Sequence, residues 1–222
     1  MKNKKKLFVI AFMAFLVLII LFFYFNAYNN SKIVNNINKS NIKEYILSIS
    51  SYEAEISVNI NSNKNSNKYI IKQKHDKVNH TFSQEVIEPS NIKGLKTTYD
   101  GKTLTLENTS LNLNSMYENY EYILNNSLDL ISFLETYKNT NDAEYIENEN
   151  EVVLKIKNEK ANIYNYFQRL YIDKKTGKPL RMEIQDKNQN LVVYIVYNEI
   201  NFKNTKNDEI MAFAIEGIDK NL

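Results

Sequence analysis

The 222-residue chain carries 28 Lys+Arg against 26 Asp+Glu, two His, four Gly, two Pro and neither Cys nor Trp. Without Cys it has no disulfide, no thiol catalysis, no Cys-ligated zinc and no cysteine lipidation, and so few glycines argue against a glycine-rich phosphate loop. Four lysines stand in the first six residues, so residues 26–222 hold 24 basic and 26 acidic side chains, net −2, which offers nucleic acid no basic face overall.

Lys2, Lys4, Lys5 and Lys6 form a basic stub, residues 1–6, ahead of an unbroken apolar run from Leu7 to Phe25. Nineteen residues at about 1.5 Å each cover roughly the thickness of a bilayer core. Two readings stand, a retained transmembrane anchor and a cleaved signal peptide. The run exceeds the usual apolar stretch of a signal peptide, and bulky Phe25 stands where cleavage after Ala27 wants a small residue, so the anchor is favoured. In both cases the lysines stay inside and the remainder lies outside the cytoplasm.

Residues 26–51 form a leading segment whose Ile33, Val34, Ile37, Tyr45, Ile46 and Ile49 share a helical stripe over 31–50. From Tyr52 the period drops to two: Ala54, Ile56, Val58 and Ile60 alternate with polar residues, as in a half-buried strand. The polar stretch 61–67 reads as a hairpin loop, followed by strands at Lys68–His75 and Val78–Val86, where Val78, His80, Phe82, Gln84 and Val86 share a face. Pro89 ends that run, and strands near Lys96–Tyr99 and Thr103–Glu107 flank an Asp100-Gly101 hairpin turn. A helical stripe returns over 119–138 through Tyr120, Ile123, Leu124, Leu128, Ile131 and Leu134. Strands are then expected at Val152–Lys157, Tyr164–Asp173, Leu180–Gln185 and Leu191–Asn201, with a closing strand at Met211–Ile215. Short polar turns between consecutive strands mean an antiparallel meander. Residues 52–222 therefore form one α+β extracytoplasmic domain, a large curved antiparallel sheet of about ten strands with two or three helices over its concave side.

The segment Leu170-Tyr-Ile-Asp-Lys-Lys-Thr-Gly-Lys-Pro-Leu-Arg-Met-Glu-Ile184 is a strand, a turn and a return strand: Asp173 bonds the turn backbone, Gly177 supplies positive φ and Pro179 opens the next strand. This hairpin resembles that of the LolA/LolB/RseB-like superfamily of envelope proteins, half-barrels of antiparallel strands lidded by helices. Within it, Tyr99-Asp-Gly-Lys102, the Tyr117–Leu134 segment and Val196-Tyr-Asn-Glu-Ile200 resemble the GerS-related proteins of spore-forming clostridia. The resemblance implies a sporulation and germination factor outside the cytoplasmic membrane, between mother cell and forespore, that binds and enables a zinc-dependent spore-cortex N-acetylmuramoyl-L-alanine amidase. The chain departs from a lipoprotein in having no cysteine; the helix Leu7–Phe25 would serve as its tether.

Chemistry-bearing motifs are sparse. His75 and His80 flank Asp76-Lys77, but two imidazoles fall short of the three or four ligands of a zinc site, so packing is expected. No Gly-x-Ser-x-Gly elbow is present, and the acidic run Asp142, Glu144, Glu147, Glu149 and Glu151 alternates like a solvated edge rather than a catalytic carboxylate pair. No catalytic, metal or cofactor residue is assigned, and no enzyme is expected. Candidates for binding a partner or ligand are Tyr164, Tyr166, Tyr194 and Tyr197, joined by Tyr171, on neighbouring late strands, and Arg169 and Arg181, the only arginines. The tyrosines are core in a fully covered sheet and a groove lining in an open one; the arginines serve a salt bridge such as one to Glu183, or a phosphate. Two functions follow: a non-catalytic amidase-binding protein, with a filled interior and an exposed apolar patch, or a LolA-like carrier or sensor holding acyl chains in a cavity lined by Leu, Ile and Phe. Open sheet edges also allow a homodimer.

Overall fold

The computed structural model describes residues 42–62, 65–120, 127–157 and 164–204, all within the unit that runs from Ile42 to Leu222. The basic stub, the apolar run Leu7–Phe25, most of the leading helix, residues 121–126 of the second helical stripe and the closing strand Met211–Ile215 lie outside the described residues. Among the described residues no helix is long and apolar enough to cross a membrane.

Among the described residues two α-helices, α1 (Ile42–Leu47) and α2 (Leu130–Asn139), accompany eleven strands: β1 (Ile49–Asn61), β2 (Ser66–Asp76), β3 (Thr81–Glu88), β4 (Lys96–Tyr99), β5 (Leu104–Asn108), β6 (Leu113–Tyr117), β7 (Glu144–Glu147), β8 (Glu151–Lys157), β9 (Phe167–Asp173), β10 (Pro179–Gln185) and β11 (Leu191–Asn204). They form a single antiparallel sheet in the order β6-β5-β4-β3-β2-β1-β11-β10-β9-β8-β7. Two meanders are thus joined where the first and last strands pair, Val58 opposite Ile195 and Tyr52 opposite Phe202. Among the described residues the sheet is open, with β6 and β7 as its edges.

The expected hairpins form through the anticipated chemistry. Asp100 Oδ1 accepts from the Lys102 and Thr103 amides while Gly101 takes φ +97°; Asp173 Oδ1 accepts from the Thr176 amide and hydroxyl while Gly177 takes φ +66°. Tyr52, Ala54, Ile56 and Val58 of β1 are buried on one face, as their alternation predicts.

Several boundaries differ from expectation. The third strand begins at Thr81, because Asp76 Oδ1 accepts from the Val78 and Asn79 amides and folds 77–80 into a turn. His80 there adopts φ +53° and Val78 is 69% exposed, so only Phe82 and Val86 of the expected face are buried. The second helix begins at Leu130, not 119: Asn119 has φ +53° and the Tyr120 amide bonds the Lys102 carbonyl. The helical stripe near residue 46 stops at Leu47, and Ile49 already belongs to β1. Tyr164 and Tyr166 precede β9, which opens at Phe167. Strands β6 and β7 add to the expected set; β7 lies within the acidic run that reads as a solvated edge, and neither has a continuously buried face.

Helix α2 fills the concave side with Leu130, Ile131, Phe133, Leu134 and Tyr137, all buried. Its N-terminus bonds β1 and β2 through Tyr52 and His75; toward its C-terminus, Tyr137 donates to the Glu144 carbonyl of β7 at 3.3 Å. β2 and β7 are six strand spacings apart, about 29 Å in a flat sheet, whereas a ten-residue helix is about 15 Å long. The sheet must therefore curl around the helix. Removing a side chain from this contact leaves a cavity: Leu134→Ala should lower unfolding stability in urea by about 2–5 kcal/mol. Val78→Ala, at an exposed turn, should change it by less than about 0.5 kcal/mol.

Candidate functional site

The densest polar cluster lies where α2 meets the sheet. Asp129 precedes the helix with φ −94° and ψ 126°, and its carboxylate is fully buried. Oδ2 accepts from the Ser132 amide (2.8 Å) and the Ser132 hydroxyl (2.6 Å), which caps the helix N-terminus. Oδ1 accepts from the Tyr52 hydroxyl (2.5 Å), and His75 Nδ1 lies 2.9–3.0 Å from both carboxylate oxygens. The Tyr52 hydroxyl also stands 3.1 Å from Gln73 Oε1 and receives the Leu130 amide at 3.4 Å, while Gln73 Nε2 donates to the Leu128 carbonyl. Strands β1 and β2 are thereby tied to one carboxylate on the lid.

Burial pushes the Asp129 carboxyl up. The hydrogen bond and positive charge of His75, with the bonds from Ser132 and Tyr52, outweigh that push and hold it below the ordinary aspartate value. The same burial drives the Tyr52 phenol well up. Tyr197, whose buried hydroxyl has no hydrogen-bond partner among the described residues, is raised by burial and by the nearby Asp129 charge.

The cluster is not a charge relay. The Ser132 hydroxyl donates to the carboxylate rather than to an imidazole, so nothing in this contact activates it as a nucleophile. His75 faces the buried carboxylate while Asp76 holds its own turn. Among the described residues no group of three or more His, Asp or Glu gathers to hold a metal ion. A pocket of about 470 Å3 opens beside the first turn of α2, walled by Phe82, Tyr99 and Ile131, with His75, and with Lys77 and Glu135 paired at 2.8 Å.

The tyrosines and arginines singled out in the sequence do not converge. Ile195, Met182 and Leu170 form one buried row on the face of α2, so the intervening Tyr194, Arg181 and Arg169 stand on the opposite face. There Arg181 makes a two-pronged pair with Glu151 (2.7 and 3.1 Å) and stacks 3.7 Å over the Tyr171 ring; Tyr171 and Arg169 both reach Glu183, at 3.0 and 3.8 Å. Both guanidiniums have carboxylate partners within the sheet. Tyr197 is buried on the concave face opposite Ile56, Tyr164 is exposed ahead of β9, and Tyr166 packs edge-on against Phe167 at 4.9 Å. These side chains are therefore split between two faces and a loop.

Four of the eight exposed large apolar side chains among the described residues stand on the two edge strands: Met116 and Tyr117 on β6, Tyr145 and Ile146 on β7. Neither strand reads as apolar surface in the sequence, because each is short and mixes these residues with polar ones. Asp129 carries a readable signal, an Asp immediately before an apolar helical run, but the stripe continuing upstream obscures it.

No protein-family model matches the chain, and no curated protein matches it. Several solved structures are similar. The chain is 22% identical to a chain in the structure of the CwlD amidase from Clostridioides difficile in complex with the GerS lipoprotein, covering 71% of this chain and 89% of that one, with a TM-score of 0.48. It is 14% identical to an uncharacterized conserved protein from Thermus thermophilus, with coverages of 75% and 86% and a TM-score of 0.46. It is 12% identical to a LolA superfamily protein from Nitrosomonas europaea, with coverages of 76% and 94% and a TM-score of 0.39. With TM-scores below 0.5, none of these likenesses bears on the reading of the site, which rests on the geometry above.

The lowered Asp129 carboxyl sets the sign of an acid response. A depressed folded value contributes stability above the unfolded range near pH 4, lost as pH falls through the folded value. Asp129→Asn should cost about 3 kcal/mol at neutral pH, because it breaks a buried pair. In urea titrations from pH 7 to pH 2, the gap between parent and variant should narrow toward the acid end.

Proposed function

We propose that the chain is a non-catalytic, membrane-tethered binding protein of GerS type that engages a spore-cortex N-acetylmuramoyl-L-alanine amidase outside the cytoplasmic membrane. The observation that carries the binding role is the distribution of apolar side chains: Leu130, Phe133 and Leu134 of α2 are buried, while Met116, Tyr117, Tyr145 and Ile146 are exposed on strands that, among the described residues, have an unpaired side. Such edges accept a partner's strand or side chains. The partner class comes from the motifs Tyr99–Lys102, Tyr117–Leu134, Leu170–Ile184 and Val196–Ile200, and the location from the lysines and apolar run at residues 2–25.

Binding would enable the enzyme by spending contact energy only on its active, metal-bound state, which shifts its population. An acyl-chain carrier calls for a cavity lined by Leu, Ile and Phe beneath α2, where Leu130, Phe133 and Leu134 are buried. The test is size-exclusion chromatography with light scattering on the full chain in detergent, alone and with the same organism's cortex amidase. A stable heterocomplex, and an amidase rate raised by about tenfold or more, are expected. Separate elution at micromolar concentration sinks the proposal.

A further inference from the structure

The two edges differ in charge, and the difference selects an occupant. At the mouth of the β7–β8 hairpin the Asn148 amide donates to the Glu151 carbonyl at 2.9 Å, and the register continues with Ile146 opposite Val153 and Glu144 opposite Lys155. Antiparallel pairs alternate between bonded and non-bonded, so Ile146 and Glu144 turn their backbone groups toward β8, and Tyr145 and Glu147 turn theirs outward. Among the described residues no strand pairs with that outer side.

The strand is held ready. Lys155 pairs with Glu144 at 2.6 Å, Lys174 with Glu147 at 2.5 Å, Tyr137 donates to the Glu144 carbonyl, and the Lys43 ammonium stands 5.9 Å from the Tyr145 ring centroid. An edge already fixed in extended form loses little freedom when another strand adds to it. Tyr145 and Ile146, 36% and 40% exposed, offer one large apolar side chain to each face of an added strand.

Charge decides between a second copy and a different partner. Two-fold antiparallel pairing of β7 with itself brings the acids of one edge beside those of the other, and like charges brought close across a pair of strands are destabilising. Asp142 and Glu149, both exposed, extend the acidity at either end. Four acids against Lys155, Lys174 and the nearby Lys43 leave the edge with one negative charge in excess. We infer that the outer edge of β7 docks an extended basic segment of a partner protein, with Lys or Arg opposite Glu144 and Glu147 and apolar residues between them, which adds as a twelfth strand. This deepens the binding role proposed above and rests on it.

The probes are two acetylated and amidated octapeptides, Lys-Thr-Lys-Val-Val-Lys-Thr-Lys and its counterpart with every Lys replaced by Glu, titrated into the full chain in detergent. The basic peptide should bind at least about tenfold tighter than the acidic one and slow hydrogen exchange at the outward Tyr145 and Glu147 amides. Tyr145→Pro removes an outward donor without touching the β8 ladder, so the variant should stay folded and lose at least about tenfold in peptide affinity. Equal binding of the two peptides, exchange protection confined to another region, or full peptide affinity in folded Tyr145→Pro each overturns the assignment. The same variant separates the two readings. A parent chain that takes the basic peptide at β7 but binds no cortex amidase keeps the edge and sinks the amidase; undiminished amidase binding by Tyr145→Pro keeps the amidase and sinks the edge.

Discussion

One buried carboxylate organises the architecture. Asp129 caps α2, receives Tyr52 from β1 and His75 from β2, and stands at the start of a helix that reaches β7 at its other end. An ion in the protein interior is costly unless its hydrogen-bonding capacity is met, and Asp129 meets it with donors from three elements at once. The bonds that satisfy the charge also fix where the lid sits. Because the lid is too short to span a flat sheet, its seat determines the curl.

That curl explains the division of the apolar side chains. Around α2 the central strands bury Ile56, Val58, Leu154, Leu170, Met182 and Ile195 almost completely. The outlying strands β6 and β7 retain Met116, Tyr117, Tyr145 and Ile146 at the surface. On the opposite face, the paired Arg169 and Arg181 hold the late strands together through Glu183 and Glu151, a structural use of the only two guanidiniums. The surface left for a partner is therefore at the margins of the sheet, and the acidity of β7 discourages it from pairing with itself.

Much of the fold is legible in the chain because its signals are local. Ala54, Ile56 and Val58 alternate with polar neighbours, and Asp100-Gly101 and Asp173–Gly177 mark tight turns, which together specify consecutive antiparallel strands. Legibility fails where one local signal opposes another. Val78 and His80 continue an alternating pattern, yet Asp76 captures the Val78 and Asn79 amides and folds a turn there. The helical stripe over 119–138 runs on as hydrophobicity, but Asn119 and Tyr120 are committed to a turn and to the Lys102 carbonyl. Packing, the role that local pattern gives His75, describes its burial; its partner, 54 residues away, is invisible to any window along the chain.

By itself the sequence determined the antiparallel pairing of consecutive strands joined by short turns, the turn chemistry, and the lack of any cysteine-based chemistry, since each depends on residues near one another in the chain or on composition alone. It also determined that the segment from Asp142 to Glu151 is acidic. Only the tertiary structure decided that β1 pairs with β11, that β6 and β7 are the free edges, and that Asp129, His75 and Tyr52 share one buried site. It likewise separated Tyr197 from Tyr194, Arg169 and Arg181 onto opposite faces. The physical reason is range. Period and turn propensity act over a few residues, whereas pairing partners, burial of a charge and exposure of an edge are settled by which distant strands the curled sheet brings against one short helix.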